Sequence, residues 1–210
     1  MLLARNAGFI AVGLVVRADQ ATLPVLLPGL ADMVKNASLY AGIEAFAGVE
    51  LIHVPPALLP DAVAKARELG AALVLGHGEG IPCSATDTAE RGGNLAAIEA
   101  GVDILARPGL ITAEDAARAA ERGVLLELSL APRHSLANGH VALMAARHGC
   151  GVIIGGNFGK AADFVSPQAT RALYRAAAAG AGISPHTTEA AARTLAQNLL
   201  RACQGQTPSK

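Results

Sequence analysis

Short apolar runs recur along this chain at intervals of roughly 25 to 35 residues, and that spacing limits the folds open to it more than any other feature. The runs are 9–16, 43–52, 72–75, 102–106, 124–130 and 152–154, rich in Val, Ile and Leu. Each has the length of a buried strand rather than of a helix. The stretches between them carry helix signals. Thr112-Ala-Glu-Asp115 reads as a capping box with Gly123 as its stop, and Asn138 and Gly149 bracket a second helix. Ser166-Pro167 and Ser184-Pro185 each supply an N-cap followed by proline at the first helical position, the first of these helices ending at Gly180. No linker-like or low-complexity segment interrupts the alternation, so 1–203 reads as one β/α domain with 204–210 as a tail. The pattern implies a parallel sheet, doubly wound or closed as a barrel.

Composition narrows what such a domain does. At 210 residues and 52% hydrophobic the chain can close a sizeable core, and disorder is excluded. Seventeen basic residues balance seventeen acidic ones, with no Lys/Arg-rich run and only 3% aromatic residues. Nothing there holds a phosphate backbone or stacks bases, so nucleic acid is not the expected partner. Cys83, Cys150 and Cys203 stand far apart and read as reduced packing thiols. The apolar stretch 8–16 is too short to span a bilayer and no small-residue cleavage site follows it, so it reads as a strand of a cytoplasmic protein.

Polar residues follow the C-terminal end of every run. Arg17 follows the first, Glu50 and His53 the second, and His77 and Glu79 the third. Arg107, then Ser129 with Arg133 and His134, then Asn157 with Lys160 complete the series. In parallel α/β proteins ligands bind at that edge, where βα loops and helix N-termini converge. Six successive units offering such groups favour a barrel-like ring over a single crevice. Gly76-His-Gly-Glu-Gly80 lacks both the dinucleotide spacing and the phosphate-loop lysine, so it is not read as a nucleotide loop. Glu50 sits inside an apolar strand and needs a cationic partner or a polar interior, because an unpaired buried charge is too costly. Arg107 reads either as an anion-binding group or as a rim charge. His140 and His148 lie on the helix after Asn138, where His148 suits the negative end of the helix dipole.

Taken as one string, Gly48-Val-Glu-Leu-Ile-His-Val-Pro-Pro56, Gly76-His-Gly-Glu79, Asp103-Ile-Leu-Ala-Arg-Pro-Gly-Leu-Ile-Thr112 and His134-Ser-Leu-Ala-Asn-Gly-His-Val141 resemble the PHP (polymerase and histidinol phosphatase) family, in particular its small histidinol-phosphatase-like members. The resemblance runs from about Ala4 to about Arg201 in order and in spacing. It implies a distorted seven-stranded β/α barrel and, in active members, metal-dependent phosphoesterase activity on up to three metals held by histidines and carboxylates. Carried over position by position, the ligand set thins. The opening His-x-His strand has no counterpart, and Thr-Asp-His falls on Val15-Val16-Arg17. Glu50 and His77 are retained, Arg107 replaces the histidine of His-Pro-Gly, and the late Asp-x-His falls on Asn157-Phe158-Gly159.

The expected fold is therefore an incomplete or distorted parallel β/α barrel of about six strands. Arginine offers no lone pair and stays protonated, so Glu50 and His77 remain as the only retained candidate metal ligands, and neither a catalytic zinc nor a two-metal clamp is expected. One reading is a degenerate PHP-like domain without hydrolytic metal, a pseudoenzyme that binds a small phosphate or carboxylate through Arg17, Glu50, His77, Arg107, His134 and Lys160, or serves as a scaffold. The alternative is an active phosphoesterase using zinc, manganese or iron, with Glu50 and His77 catalytic and His53, His134 or His140 recruited into a rearranged site. A third is a structural partner whose unfinished barrel completes an assembly. In all three, the run 9–16 is expected to leave one edge unpaired, inviting self-association or cover by the last two helices.

Overall fold

The computed structural model describes residues 1–81, 92–131, 133–155 and 167–203. Six strands, β1 (Ala11–Ala18), β2 (Glu44–Leu51), β3 (Leu73–His77), β4 (Ile104–Ala106), β5 (Leu125–Ser129) and β6 (Val152–Gly155), form one sheet in chain order with every neighbouring pair parallel. Parallel neighbours need a crossover, and a helix supplies each one. These are α2 (Leu23–Ala41), α3 (Leu59–Glu68), α4 (Gly93–Ala100), α5 (Ala113–Arg122) and α6 (Asn138–His148). A short α1 (Leu2–Asn6) precedes β1, while α7 (Pro167–Gly180) and α8 (Pro185–Cys203) follow β6. The chain is thus an α/β half-barrel, a curled parallel sheet that is open at β1 and β6 among the described residues. No helix of the described residues is long and apolar enough to cross a membrane.

The α5 cap and the glycine stops act where the sequence places them, while the expected cap Ser166 lies outside the described residues. The Thr112 hydroxyl accepts a hydrogen bond from the Asp115 N–H at 3.0 Å, capping α5, and α2, α4, α5 and α6 end on Gly42, Gly101, Gly123 and Gly149 in left-handed conformation. Asn138 does not cap α6. Its side chain turns back to β5, accepting from the Ser129 N–H at 2.9 Å and donating to the Ser129 carbonyl at 3.0 Å, so it locks helix to strand.

Alternation along the strands gives the sheet two faces. On the outer face Val49, Leu51, Val74, Leu105, Leu126 and Leu128 pack against Leu27, Ala66, Ile98, Ala119 and Val141 of the helix layer, all buried. The inner face divides along the strand direction. Near the N-terminal ends Phe46, Leu73 and Ile104 form a second apolar cluster that α8 closes with Leu195, Leu199 and Leu200. Burying each such side chain contributes about 1.5–3 kcal/mol. Nearer the C-terminal ends the same face turns charged. Register puts Arg17 beside Glu50 and His77 beside Ala106.

Candidate functional site

The charged half of the inner face centres on Glu50, which is buried and sits in the last turn of the β2 pleat. Three cationic or potentially cationic groups converge on it. His77 Nδ1 lies 2.7 Å from Glu50 Oε1, and the Arg107 Nη1 donates to the same oxygen. Arg17 Nε approaches Oε2 at 3.5 Å from a half-exposed side chain, a geometry that contributes little on its own. Arg107 Nη1 also stands 3.0 Å from His77 Nδ1. Both groups aim at one acceptor, so His77 carries its proton on Nδ1 and donates it to Glu50, which leaves Nε2 as the ring nitrogen free to meet a ligand. Burial pushes the Glu50 carboxyl up, but the His77 hydrogen bond and the charges of Arg107, His77 and Arg17 outweigh it and hold the group below the usual carboxylate range.

Arg107 reaches this position through its backbone. Ala106 is an inner-face residue, so the next side chain on a continuing strand would point into the helix layer. Arg107 instead takes φ +52°, a left-handed conformation that disfavours side-chain-bearing residues and turns the guanidinium inward. Two hydrogen bonds hold the turn. The Arg107 N–H donates to Glu127 Oε2 at 2.9 Å, and its carbonyl accepts from the Gly80 N–H at 3.0 Å. Arg107 is itself buried at 8% exposure, so it is not an exposed rim charge.

Glu127 is the functional residue that sequence reasoning missed. It is buried on β5, and burial, reinforced by the charge of Glu50, pushes its carboxyl up despite the charge and the N–H of Arg107. The signal was present, since Glu127 interrupts the apolar run 124–130 as Glu50 interrupts 43–52. Gly155 on β6 makes room for it, because a Cβ there would come within 1.7 Å of Glu127 Oε1. Tyr174 of α7 is also coupled to the ring, its hydroxyl pushed up to about 12 by burial and by the charge of Glu127.

Of the remaining expected residues, His134 is brought beside the ring and the other described ones are not. His134 lines a cavity of about 10 Å³ together with Arg107, Glu127, Ser129 and Asn138, room for a single water. His53 is exposed after β2. The His140 Nε2 donates to the Ile111 carbonyl at 2.7 Å, a fold-holding bond. Lys160 and the Asn157-Phe158-Gly159 segment lie outside the described residues, as does Cys83. Cys150 is buried, its thiol pushed up to about 11 by burial, a packing thiol. Two helix N-termini on this edge are satisfied from within the chain, α5 by Thr112 and α4 by Glu79, whose Oε1 accepts from the Gly92 N–H at 2.8 Å. At these two helix starts an internal side chain already takes part of the N-terminal N–H set.

A divalent metal between the two retained donors would have to displace Arg107, whose guanidinium stands on Glu50 and against His77. Among the described residues no three His, Cys, Asp or Glu side chains come together as a metal would need. The described donor set does not fit a hydrolytic metal centre.

No family model matches the chain. A stretch of 107 residues, 51% of the chain, is 37% identical to part of Uncharacterized protein MJ1295 of Methanocaldococcus jannaschii, and it spans 48% of that protein, so the likeness covers about half of either chain.

Proposed function

We propose that this chain is a degenerate PHP-like domain that does not carry out metal-dependent hydrolysis and that binds a small anion, a phosphate or a carboxylate, at the C-terminal edge of its sheet. The observation that supports this reading is the Arg107 guanidinium seated on Glu50 beside His77. A buried carboxylate must be compensated, and a fixed arginine does so without a metal. Glu50 then holds Arg107 and orients His77, while the half-exposed Arg17 guanidinium is left to meet an anion. The protein acts in the cytoplasm in this reading, which suits the buried free thiol of Cys150.

The test is paired. Purified protein supplied with zinc, manganese or iron is expected to show no turnover of a small phosphomonoester above background, and inorganic phosphate is expected to raise its melting temperature in a way that Arg17→Ala abolishes. Turnover that disappears in His77→Ala would overturn the non-hydrolytic reading. A phosphate effect that Arg17→Ala leaves unchanged would overturn the anion site.

A further inference from the structure

Two of the side chains that converge on Glu50 keep an unused end, and the two ends call for opposite partners. Arg17 meets Glu50 Oε2 through Nε at 3.5 Å, and no other group among the described residues holds it. Its two terminal nitrogens form an open fork of donors, the geometry that takes a phosphate or a carboxylate through parallel hydrogen bonds. The Arg17 side chain is 54% exposed, so solutes reach that fork.

His77 offers the reverse. Its Nδ1 lies 2.7 Å from Glu50 Oε1, and an ionised carboxylate can only accept, so the ring proton sits on that nitrogen. The bond made by one ring nitrogen decides the state of the other, and a neutral ring protonated at Nδ1 carries a lone pair on Nε2. Among the described residues nothing hydrogen-bonds to Nε2, and the side chain is 20% exposed. A lone pair repels an anion and accepts a proton donor. A cationic donor is disfavoured there, because the Arg107 Nη1 already stands 3.0 Å from Nδ1 of the same ring. A hydroxyl carries no charge and meets no such opposition.

Resting on the anion site inferred above, we propose that its ligand is a hydroxylated anion, held at its charged end by the terminal nitrogens of Arg17 and donating a hydroxyl hydrogen to His77 Nε2. The two contacts lie close together. Arg17 comes from β1 and His77 from β3, on either side of β2, and they stand on the two oxygens of one carboxylate. A molecule a few bonds long reaches both. Bare phosphate or acetate fills the Arg17 fork and leaves the imidazole lone pair to water, whereas a polyol phosphate or a hydroxy acid satisfies the two together. Glu50 acts here as a positioning residue: by accepting from Nδ1 it fixes the tautomer that makes Nε2 an acceptor.

The test is titration calorimetry of the full chain with glycerol phosphate and with propyl phosphate, which has the same carbon chain and no hydroxyl. Glycerol phosphate is expected to bind about 3- to 10-fold more tightly, the worth of one neutral hydrogen bond. His77→Asn keeps an amide N–H for Glu50 where Nδ1 stands and removes the Nε2 acceptor, so the two esters should then bind alike. Nitrogen NMR of the wild-type imidazole reads the tautomer without any substitution, and Nε2 is expected to be unprotonated. Equal affinities in the wild type, a preference that survives His77→Asn, a protonated Nε2, or tighter binding of aminopropyl phosphate than of glycerol phosphate would each overturn this inference and leave the anion site standing. Binding of neither ester would overturn the anion site and the inference with it.

Discussion

The two halves of the sheet's inner face are built from the same strands and differ only in position along them. Towards the N-terminal ends Phe46, Leu73 and Ile104 close with α8 into a dry apolar layer. A few residues further on, the buried Glu50, Arg107 and Glu127 form a polar ring with the partly buried His77. The first half gains free energy from every side chain it buries. The second half gains little net, because desolvating charges offsets their attraction, and it is stable only while every member keeps its partner. Packing explains the lower half without reference to a ligand. The upper half retains charge at a cost that packing alone would remove, and for that reason it is read as the working end.

The largest effects should separate the halves by whether a second substitution rescues the first. Arg107→Met leaves Glu50 buried without its main cation and is expected to destabilise by about 3–5 kcal/mol in urea unfolding, with Glu50→Gln added to it recovering a large part. Phe46→Ala should cost a comparable ~3–5 kcal/mol, with no rescue from any single neighbouring change, since the loss is a cavity. Rescue in the lower half, or none in the upper, would break the distinction. Leu199→Ala, which removes the α8 contact to the same layer, should cost about 2–4 kcal/mol.

The pH dependence sharpens the comparison within the ring. Glu50 titrates below its unfolded value in the folded chain, so its contribution is fully present above the unfolded pKa of about 4.3 and is lost as pH falls through the lowered folded value. Glu127 is raised, so its contribution is present below the unfolded value and is lost as pH rises through the raised one. Glu127→Gln keeps an acceptor for the Arg107 N–H and should therefore stabilise at neutral pH by on the order of 1 kcal/mol, a gain that shrinks on acidification. Glu50→Gln should destabilise at neutral pH, and its deficit should shrink as the pH is lowered below that of Glu50 ionisation. Both are read from denaturant midpoints across pH. The smallest effect is the yardstick: Thr112→Ala should remove only the α5 cap, about 1 kcal/mol at any pH.

The sequence makes the sheet legible because parallel strands buried on both faces are written as continuous apolar runs, and each run overlaps one of the six strands. Strand ends are less legible. β1 continues to Ala18 and β3 to His77 because hydrogen bonding, not hydropathy, ends a strand. Glu50, His77 and Arg107 were found by their places at strand ends, and Glu50's need of a cation follows from burial alone. The left-handed turn that swings Arg107 inward leaves no mark in residue type, since it depends on Gly80 and Glu127 in two other strand units. Glu127 carried the same mark as Glu50 and was passed over because it precedes the strand end.

The central proposal is that the Arg107 guanidinium, and no metal ion, compensates Glu50 beside His77. It is tested most directly by elemental analysis of the purified full chain after incubation with zinc, manganese or iron and removal of the excess by dialysis. The account predicts less than about one-tenth of a metal ion per chain, because Arg107 occupies Glu50 and a catalytic site needs about three protein ligands. Near-stoichiometric metal that is lost in His77→Ala would contradict it.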